Sequence, residues 1–413
     1  MLTAQRYHSH FSNQYGNGVL GPVVISGPAS SNYDIDVGPL LISDWYYGSV
    51  NQIALRVNNP NNPYIPGFPG SPPPSDNVLF NGQNKRPGFA TGSYLRITLT
   101  PGKKHLLRLI NGSVQNSYTL TLVGHSFTIV TTDMVPITPV TVTSLYVGIG
   151  QRYDVIITAN QAVGNYWLNT TFSQGCGLSN NPAPAAIISY TGAPATNPTA
   201  PGTAPPDYHC QDALTYAPIL ARTAPVSSFT PSTSNTLTTS LKIDAAIARV
   251  FWPVGGNPVR VDWNNPTLKY VKNSNTAAIP ANANVLSVPT GGVWTFWLIQ
   301  NNSSIPHPVH LHGHDVLILG ASPALANPLA PGQRLRVYNP AVDGPALKGA
   351  NPTRRDTTML PAWGWLAVAF QTGNPGAWLF HCHVAWYVSA LAGCFQLPSL
   401  PPFTGQVLMW NHL

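Results

Sequence analysis

The H-x-H spacing, used three times, constrains this chain more than any other feature. Gly376 to Gln396 reads GAWLFHCHVAWYVSALAGCFQ and places His381, Cys382 and His383 in a row after an apolar, aromatic run. Ile305 to Gly320 reads IPHPVHLHGHDVLILG and holds His307, His310, His312 and His314. Tyr7-His8-Ser9-His10 repeats the device near the N-terminus. Successive side chains on a strand point to opposite faces. His381 and His383 are therefore predicted on one face and Cys382 on the other. His310 and His312, and His8 and His10, share faces by the same rule. A strand carrying imidazoles on one side and a thiol on the other suits two metal sites at once. The alternative is a buried thiol between two hydrogen-bonded core histidines. Three such strands in one chain weigh against three unrelated core pairs.

The rest of the chain reads as β-structure. It has 42 prolines and 35 glycines in 413 residues, which argues for many turns and few long helices. Strands are predicted at Leu95–Thr100, Leu106–Ile110, Tyr118–Leu122, Phe127–Thr131, Val142–Val147, Tyr153–Thr158, Tyr166–Thr170 and Ala186–Tyr190. A later set covers Val293–Gln300, Val316–Leu319, Leu335–Tyr338, Trp365–Phe370 and Ala377–His383. Ser43 to Val57 has a helix-like start, with Ser43 or Asp44 as cap. Short strands at regular spacing with turns between them signal all-β sandwiches of Greek-key type.

Charge excludes some functions. The net charge is +7, but charged residues are only 8% of the chain and all thirteen acidic residues are Asp. A glutamate base is therefore excluded. The densest basic group, Lys103, Lys104 and Arg108, has no interleaved stacking residues, which argues against nucleic acid as a partner. No run of about 20 apolar residues offers a membrane span. The start, MLTAQRYHSH, does not read as a signal peptide.

HPVHLHGHD, HCHVAW and YHSHFSNQYGNGVLGP resemble three of the four copper-binding motifs of the multicopper oxidases, and are most similar to those of ascomycete laccases. SSNYDIDVGPL, VGIGQRYDVII, RRDTTMLPAWGW and NPGAWLFHCH extend the resemblance over nearly the whole chain. It implies tandem cupredoxin-like Greek-key β-sandwich domains, the first largely missing. Residues 1–30 are expected to be a remnant of the first, 31–200 the second, 201–231 a Pro-rich crossover and 232–413 the third. Either the first strands pad the neighbouring domain or upstream coding sequence is missing. Relatives also continue past the third domain.

The resemblance assigns ligands residue by residue. His307 and Cys382 belong to the mononuclear copper. Its second imidazole should lie five residues after the cysteine, where this chain has Tyr387; the axial seat falls on Ala392. A phenol ligates only as phenolate, and its reference pKa is near 10. His8, His10, His310, His312, His381 and His383 match six ligands of the cluster that reduces dioxygen. The other two belong to an H-W-H-G strand upstream. His314 is expected to be structural, and His105, His125, His209 and His412 ordinary.

Substrate-side positions follow from the same resemblance. Relatives carry a carboxylate in a V-E-N segment that accepts the phenol proton. Here the segment is Val114-Gln115-Asn116, and Gln115 hydrogen-bonds but does not take up a proton. Trp363 adds a large ring, expected to line the same pocket. By similarity, Cys176 and Cys210 form a disulfide, which implies an oxidising compartment. Sequons at Asn111, Asn169, Asn301 and Asn302 point the same way. The family is mostly secreted, yet no signal peptide is read here, so localisation stays open. The implied function is one-electron oxidation of a phenolic or aromatic small molecule in fungal secondary metabolism, with copper as cofactor, dioxygen as oxidant and copper chemistry impaired. The alternative is a redox-inactive protein that binds a phenolic intermediate and steers a cyclisation or coupling, or a scaffold.

Overall fold

Short alternating runs, broken by glycine and proline, build two β-sandwiches in series. The computed structural model describes residues 3–173, 175–232, 235–255, 262–288, 291–323, 335–388 and 406–410. At its start Thr3–His8 pairs antiparallel with Leu20–Ile25, with His8 opposite Leu20. His8 ends its strand, and His10 lies beyond it rather than on it. The chain bends there because the Ser9 hydroxyl accepts the Phe11 N–H at 3.1 Å, an alternative to the ladder. A short 3-10 segment, Gln14–Asn17, turns the chain and is closed by Gly18 at φ 98°. Glycine adopts that left-handed conformation without steric cost.

The first sandwich packs a six-stranded sheet on a five-stranded one. Leu107, Leu109, Val155 and Ile157 of one sheet meet Leu120, Leu122, Leu168 and Ile188 of the other in one core. Leu106 and Ile156, one residue out of phase, join Val130 and Tyr33 on the far face. Each fully buried apolar side chain of this kind contributes roughly 1.5–3 kcal/mol. The second sandwich pairs two five-stranded sheets. Its strand Trp294–Asn301 sends Trp297 and Ile299 into the sandwich core. Phe296 and Leu298 point the other way, into a layer with Ala224, Tyr338 and Trp365.

A third apolar cluster joins everything that matters for the site. Tyr15, the helix Val50–Val57, Val114 and Trp252 pack there against Cys382, Val384 and Trp386. The Cys176–Cys210 disulfide is present, with its Cα atoms 5.9 Å apart.

Several expected elements differ. The helix begins after Ser49, because the strand Ile35–Trp45 runs through Ser43 and Asp44. Asp44 caps no helix; its carboxylate accepts the N–H groups of Val114, Gln115 and Asn116 at 2.8–3.0 Å. Val142–Val147 is two strands in different sheets, Val135–Val142 and Ser144–Val147. Leu335–Tyr338 forms no strand. Asn339-Pro340 follows it and opens a helical turn, and Pro340 has no N–H to donate to a ladder. The Asn111 and Asn301 side chains are buried and donate to backbone carbonyls, which closes those two sequons; Asn302 is exposed. Ala392, Cys394 and His412 lie outside the described residues, as does the side chain of Tyr387.

Candidate metal centre

Strand register brings the histidines together. His307–Leu311 pairs antiparallel with Gly376–Cys382, setting Val309 opposite Cys382 and His310 opposite His381. On its other edge the same strand sets His310 opposite Thr357. His312 follows the strand's end, where its N–H donates to the Leu379 carbonyl at 2.8 Å. These pairings aim His312 and His381 at one point, which His10 reaches from the N-terminal segment. The His312 and His381 Nε2 atoms are 3.1 Å apart, and one ring nitrogen from each of His10, His312 and His381 lies within 4.8 Å of the others.

Protonation follows from the partners. His381 Nδ1 faces the Cys382 carbonyl at 2.8 Å. A carbonyl only accepts, so Nδ1 carries the proton and the Nε2 lone pair faces His312. Burial holds His10 down at about 4, and burial with neighbouring imidazoles holds His312 and His381 well below the usual histidine range. Three neutral imidazoles with converging lone pairs fit a copper ion.

A second group, His8, His310 and His383, adjoins the first. The rings of His8 and His383 are 5.2 Å apart, and those of His381 and His383 also 5.2 Å. His310 Nδ1 donates to the Asp356 carbonyl at 2.9 Å, leaving Nε2 for a metal. That outer hydrogen bond fixes ring and tautomer. His383 is different. The Arg6 guanidinium lies against the His383 ring, donating to the nitrogen that carries the lone pair, and donates to the Asn111 carbonyl at 2.6 Å. Guanidinium has no acceptor, so it takes the lone pair that a metal would need. This second group fits copper only with Arg6 withdrawn. Gly150 backs His383 closely: its φ is 86°, and a Cβ there would meet His383 Cδ2 at 2.7 Å.

A buried ion network holds the platform. Arg355 donates to both Asp133 oxygens at 3.1 Å. Arg152 grips Asp356 with two bonds of 2.6 and 2.5 Å. Asp133 also accepts the N–H groups of Arg152, Asp356 and Thr357 at 3.0–3.1 Å. The network thus ties the first sandwich to the strand beside His310. Arg6, Asp133 and Asp356 carried no signal in the H-x-H pattern, although the stretches QRYD and RRD held Arg152 and Asp356 in plain view.

His307 and Cys382 stand apart from these six, on the other side of the strand. His307 Nδ1 is 3.5 Å from Cys382 Sγ, and Sγ also receives the Val384 N–H at 3.4 Å. Burial holds His307 down at about 3 and pushes the Cys382 thiol up. A buried imidazole–thiol pair fits the strong-donor half of a mononuclear copper site.

A cavity of about 530 Å³ opens beside the chain neighbours of this pair, lined by Gln115, Phe172, Ile305, Pro306, Pro308 and Val384 among others. Gln115 Oε1 accepts the Tyr46 hydroxyl at 2.7 Å and the Trp386 indole N–H at 3.1 Å. Trp363, expected here, does not line the cavity. It sits at φ 52° in the turn after Thr357–Leu360, where its N–H donates to the Ser303 carbonyl at 2.8 Å. His125 and His105 are held by Tyr190 and by the Thr100 N–H, and His314 by the His312 carbonyl, away from the ligand groups.

The comparisons agree with this geometry. Residues 36–193 match one multicopper oxidase family profile and 258–393 a second. A laccase of Neurospora crassa is 50% identical over 389 residues, 93% of this chain and 60% of the relative. Laccase-3 of Botryotinia fuckeliana is 42% identical over 94% of this chain and 84% of its own length. The crystal structure of a Botrytis aclada laccase superposes with a TM-score of 0.82 at 31% identity, covering 100% of this chain and 70% of that one. The chain spans about 60% of the length of several curated relatives it matches. By sequence, fold and the arrangement of its imidazoles and thiol, the chain belongs to the multicopper oxidase family, whose cofactor is copper.

Proposed function

We propose that the chain is a laccase-like oxidoreductase of phenolic or aromatic small molecules whose copper chemistry is impaired at the mononuclear site. The observation that carries the reading is the position of the Gln115 cavity. Pro306, Pro308 and Val384 line it, and they flank His307 and follow Cys382 in the chain. An aromatic ring held there would lie beside Pro306, Pro308 and Val384, the chain neighbours of the buried imidazole–thiol pair. His307 and Cys382 would hold the mononuclear copper; His10, His312 and His381, with His8, His310 and His383, would hold the rest. Copper supplies one-electron acceptance and the reduction of dioxygen to water. Protons released by the phenol need a path other than Gln115, whose amide does not take them up. Impairment rests on Tyr387 at the seat of the second imidazole. The setting we propose is fungal secondary metabolism.

A redox-inactive reading has specific support too. Arg6 holds His383, and Gln115 replaces the proton acceptor. The protein would then bind an aromatic intermediate and steer its coupling without electron transfer. Copper-loaded protein, assayed for metal per chain and for dioxygen uptake with 2,6-dimethoxyphenol, separates the two. Uptake dependent on copper supports the oxidoreductase. Copper bound without uptake, or no copper retained, overturns it in favour of the second.

A further inference from the structure

We infer that Asp207, the carboxylate on the wall of the Gln115 cavity, accepts the hydroxyl proton of a bound phenol. This deepens the proposed function and rests on the cavity being the aromatic site.

Gln115 cannot take up a proton, yet the cavity does not lack a base. Its polar lining includes Ser71, Ser117, Ser173 and Asp207. Asp207 is the one ionisable group among them. A hydroxyl oxygen accepts a hydrogen bond but does not keep the proton. A carboxylate does both, and its two oxygens offer several lone pairs. The Asp207 side chain is 35% exposed, which puts it where the cavity meets solvent.

The segment that carries Asp207 is held just beyond it. The Tyr208 hydroxyl shares a hydrogen bond with the Ser144 hydroxyl at 2.8 Å. Cys210 is bridged to Cys176, itself part of the cavity wall. His209 and Cys210 take φ 49° and 62°, a left-handed pair that side-chain-bearing residues keep only where their surroundings impose it. This turn folds His209 back on Asp207. The His209 N–H donates to Asp207 Oδ1 at 2.8 Å, and His209 Nδ1 lies 3.5 Å from Oδ2. The imidazole is 63% exposed, so a proton on Asp207 has a way out to solvent.

The step balances. The phenol O–H bond breaks as the ring gives one electron to a one-electron oxidant, copper(II) in this family, and becomes a neutral phenoxyl radical. The proton forms a new O–H bond on Asp207. Without a base at hand the ring would be left as a cation radical, a less stable product. Proton acceptance in the same step therefore lowers the barrier to electron loss.

The first test compares phenol with its methyl ether, anisole, by ligand-observed NMR titration without dioxygen. Wild type is expected to bind phenol roughly ten-fold tighter, because anisole has no proton to donate. Asp207→Ala should bring the ratio to about one while leaving anisole affinity unchanged. A ratio unchanged in Asp207→Ala overturns the acceptor assignment and leaves the cavity as the aromatic site. Failure of both probes to bind wild type at millimolar concentration overturns the cavity reading itself. The second test uses copper-loaded protein and Asp207→Asn, which keeps an oxygen for the His209 N–H. Oxidation of 2,6-dimethoxyphenol should slow about 100-fold. Oxidation of ferrocyanide, which gives up an electron and no proton, should not slow. Equal effects on both donors overturn the proton step. No turnover of either donor by wild type overturns the oxidoreductase reading and the proton step with it, while the phenol–anisole ratio still decides the hydrogen bond.

Discussion

His307 Nδ1 and Cys382 Sγ lie 3.5 Å apart, both fully buried, at the end of a strand whose other face carries His381. Two strong donors are in place, and the resemblance to the family puts the third seat at Tyr387. A phenol in that seat ligates poorly at neutral pH. Copper-loaded wild type is therefore expected to lack the intense blue thiolate absorbance. Tyr387→His should produce it, and Cys382→Ser in that background should remove it again. Visible spectra with copper counted per chain check this; a blue wild type refutes it.

Arg6 donates to the ring of His383 and to the Asn111 carbonyl. It therefore competes with metal for one imidazole and adds a positive charge to the site. Arg6→Ala should raise copper retained per chain, and Arg6→Lys should raise it less. Metal analysis after dialysis decides this. Unchanged stoichiometry would mean that the guanidinium swings aside at little cost.

The alternation His381–Cys382–His383 was legible because the two-residue period of a strand is local. Convergence of His10, His312 and His381 was not, since it depends on the pairing of Val309 with Cys382 across the sheet. The strand expected through His10 stops at His8, where Ser9 diverts the backbone, yet the two rings still lie 4.4 Å apart on one side. Asp44 misled for a related reason: a side chain suited to capping a nearby helix instead accepts the N–H groups of Val114, Gln115 and Asn116 in a distant loop. Leu335–Tyr338 looked apolar enough for a strand, but Asn339-Pro340 ends any ladder there. Arg6 is invisible to pattern reading, because a cation beside ligands contradicts the motif it sits in.

Arg355 and Asp133 are both completely buried and doubly hydrogen-bonded. Removing one partner leaves an uncompensated charge in a dry interior. Arg355→Ala should destabilise by about 3–5 kcal/mol. Urea unfolding followed by tryptophan fluorescence measures it. Because Asp133 also holds the N–H groups of Asp356 and Thr357, the same variant should loosen the strand beside His310 and lower copper retention. A loss below about 1 kcal/mol would show that water enters and solvates Asp133.

Asp44 sets the pH response of the Gln115 loop. Burial raises its carboxyl from the usual range to about 6, although the N–H groups of Val114, Gln115 and Asn116 oppose the shift. A folded-state pKa above the unfolded value means that the native state binds the proton more tightly. The contribution is then fully present below the unfolded pKa near 4 and is lost as pH rises through the folded value. Over that window wild type should lose about 3 kcal/mol from this group. Asp44→Asn turns an NH2 toward at least one backbone donor and should be less stable at low pH. It should also lack this pH term, so the gap between the two proteins must narrow from pH 4 to pH 7. Paired urea titrations across that range measure the gap. If it stays constant or widens, the three N–H donors outweigh burial and Asp44 is ionised throughout.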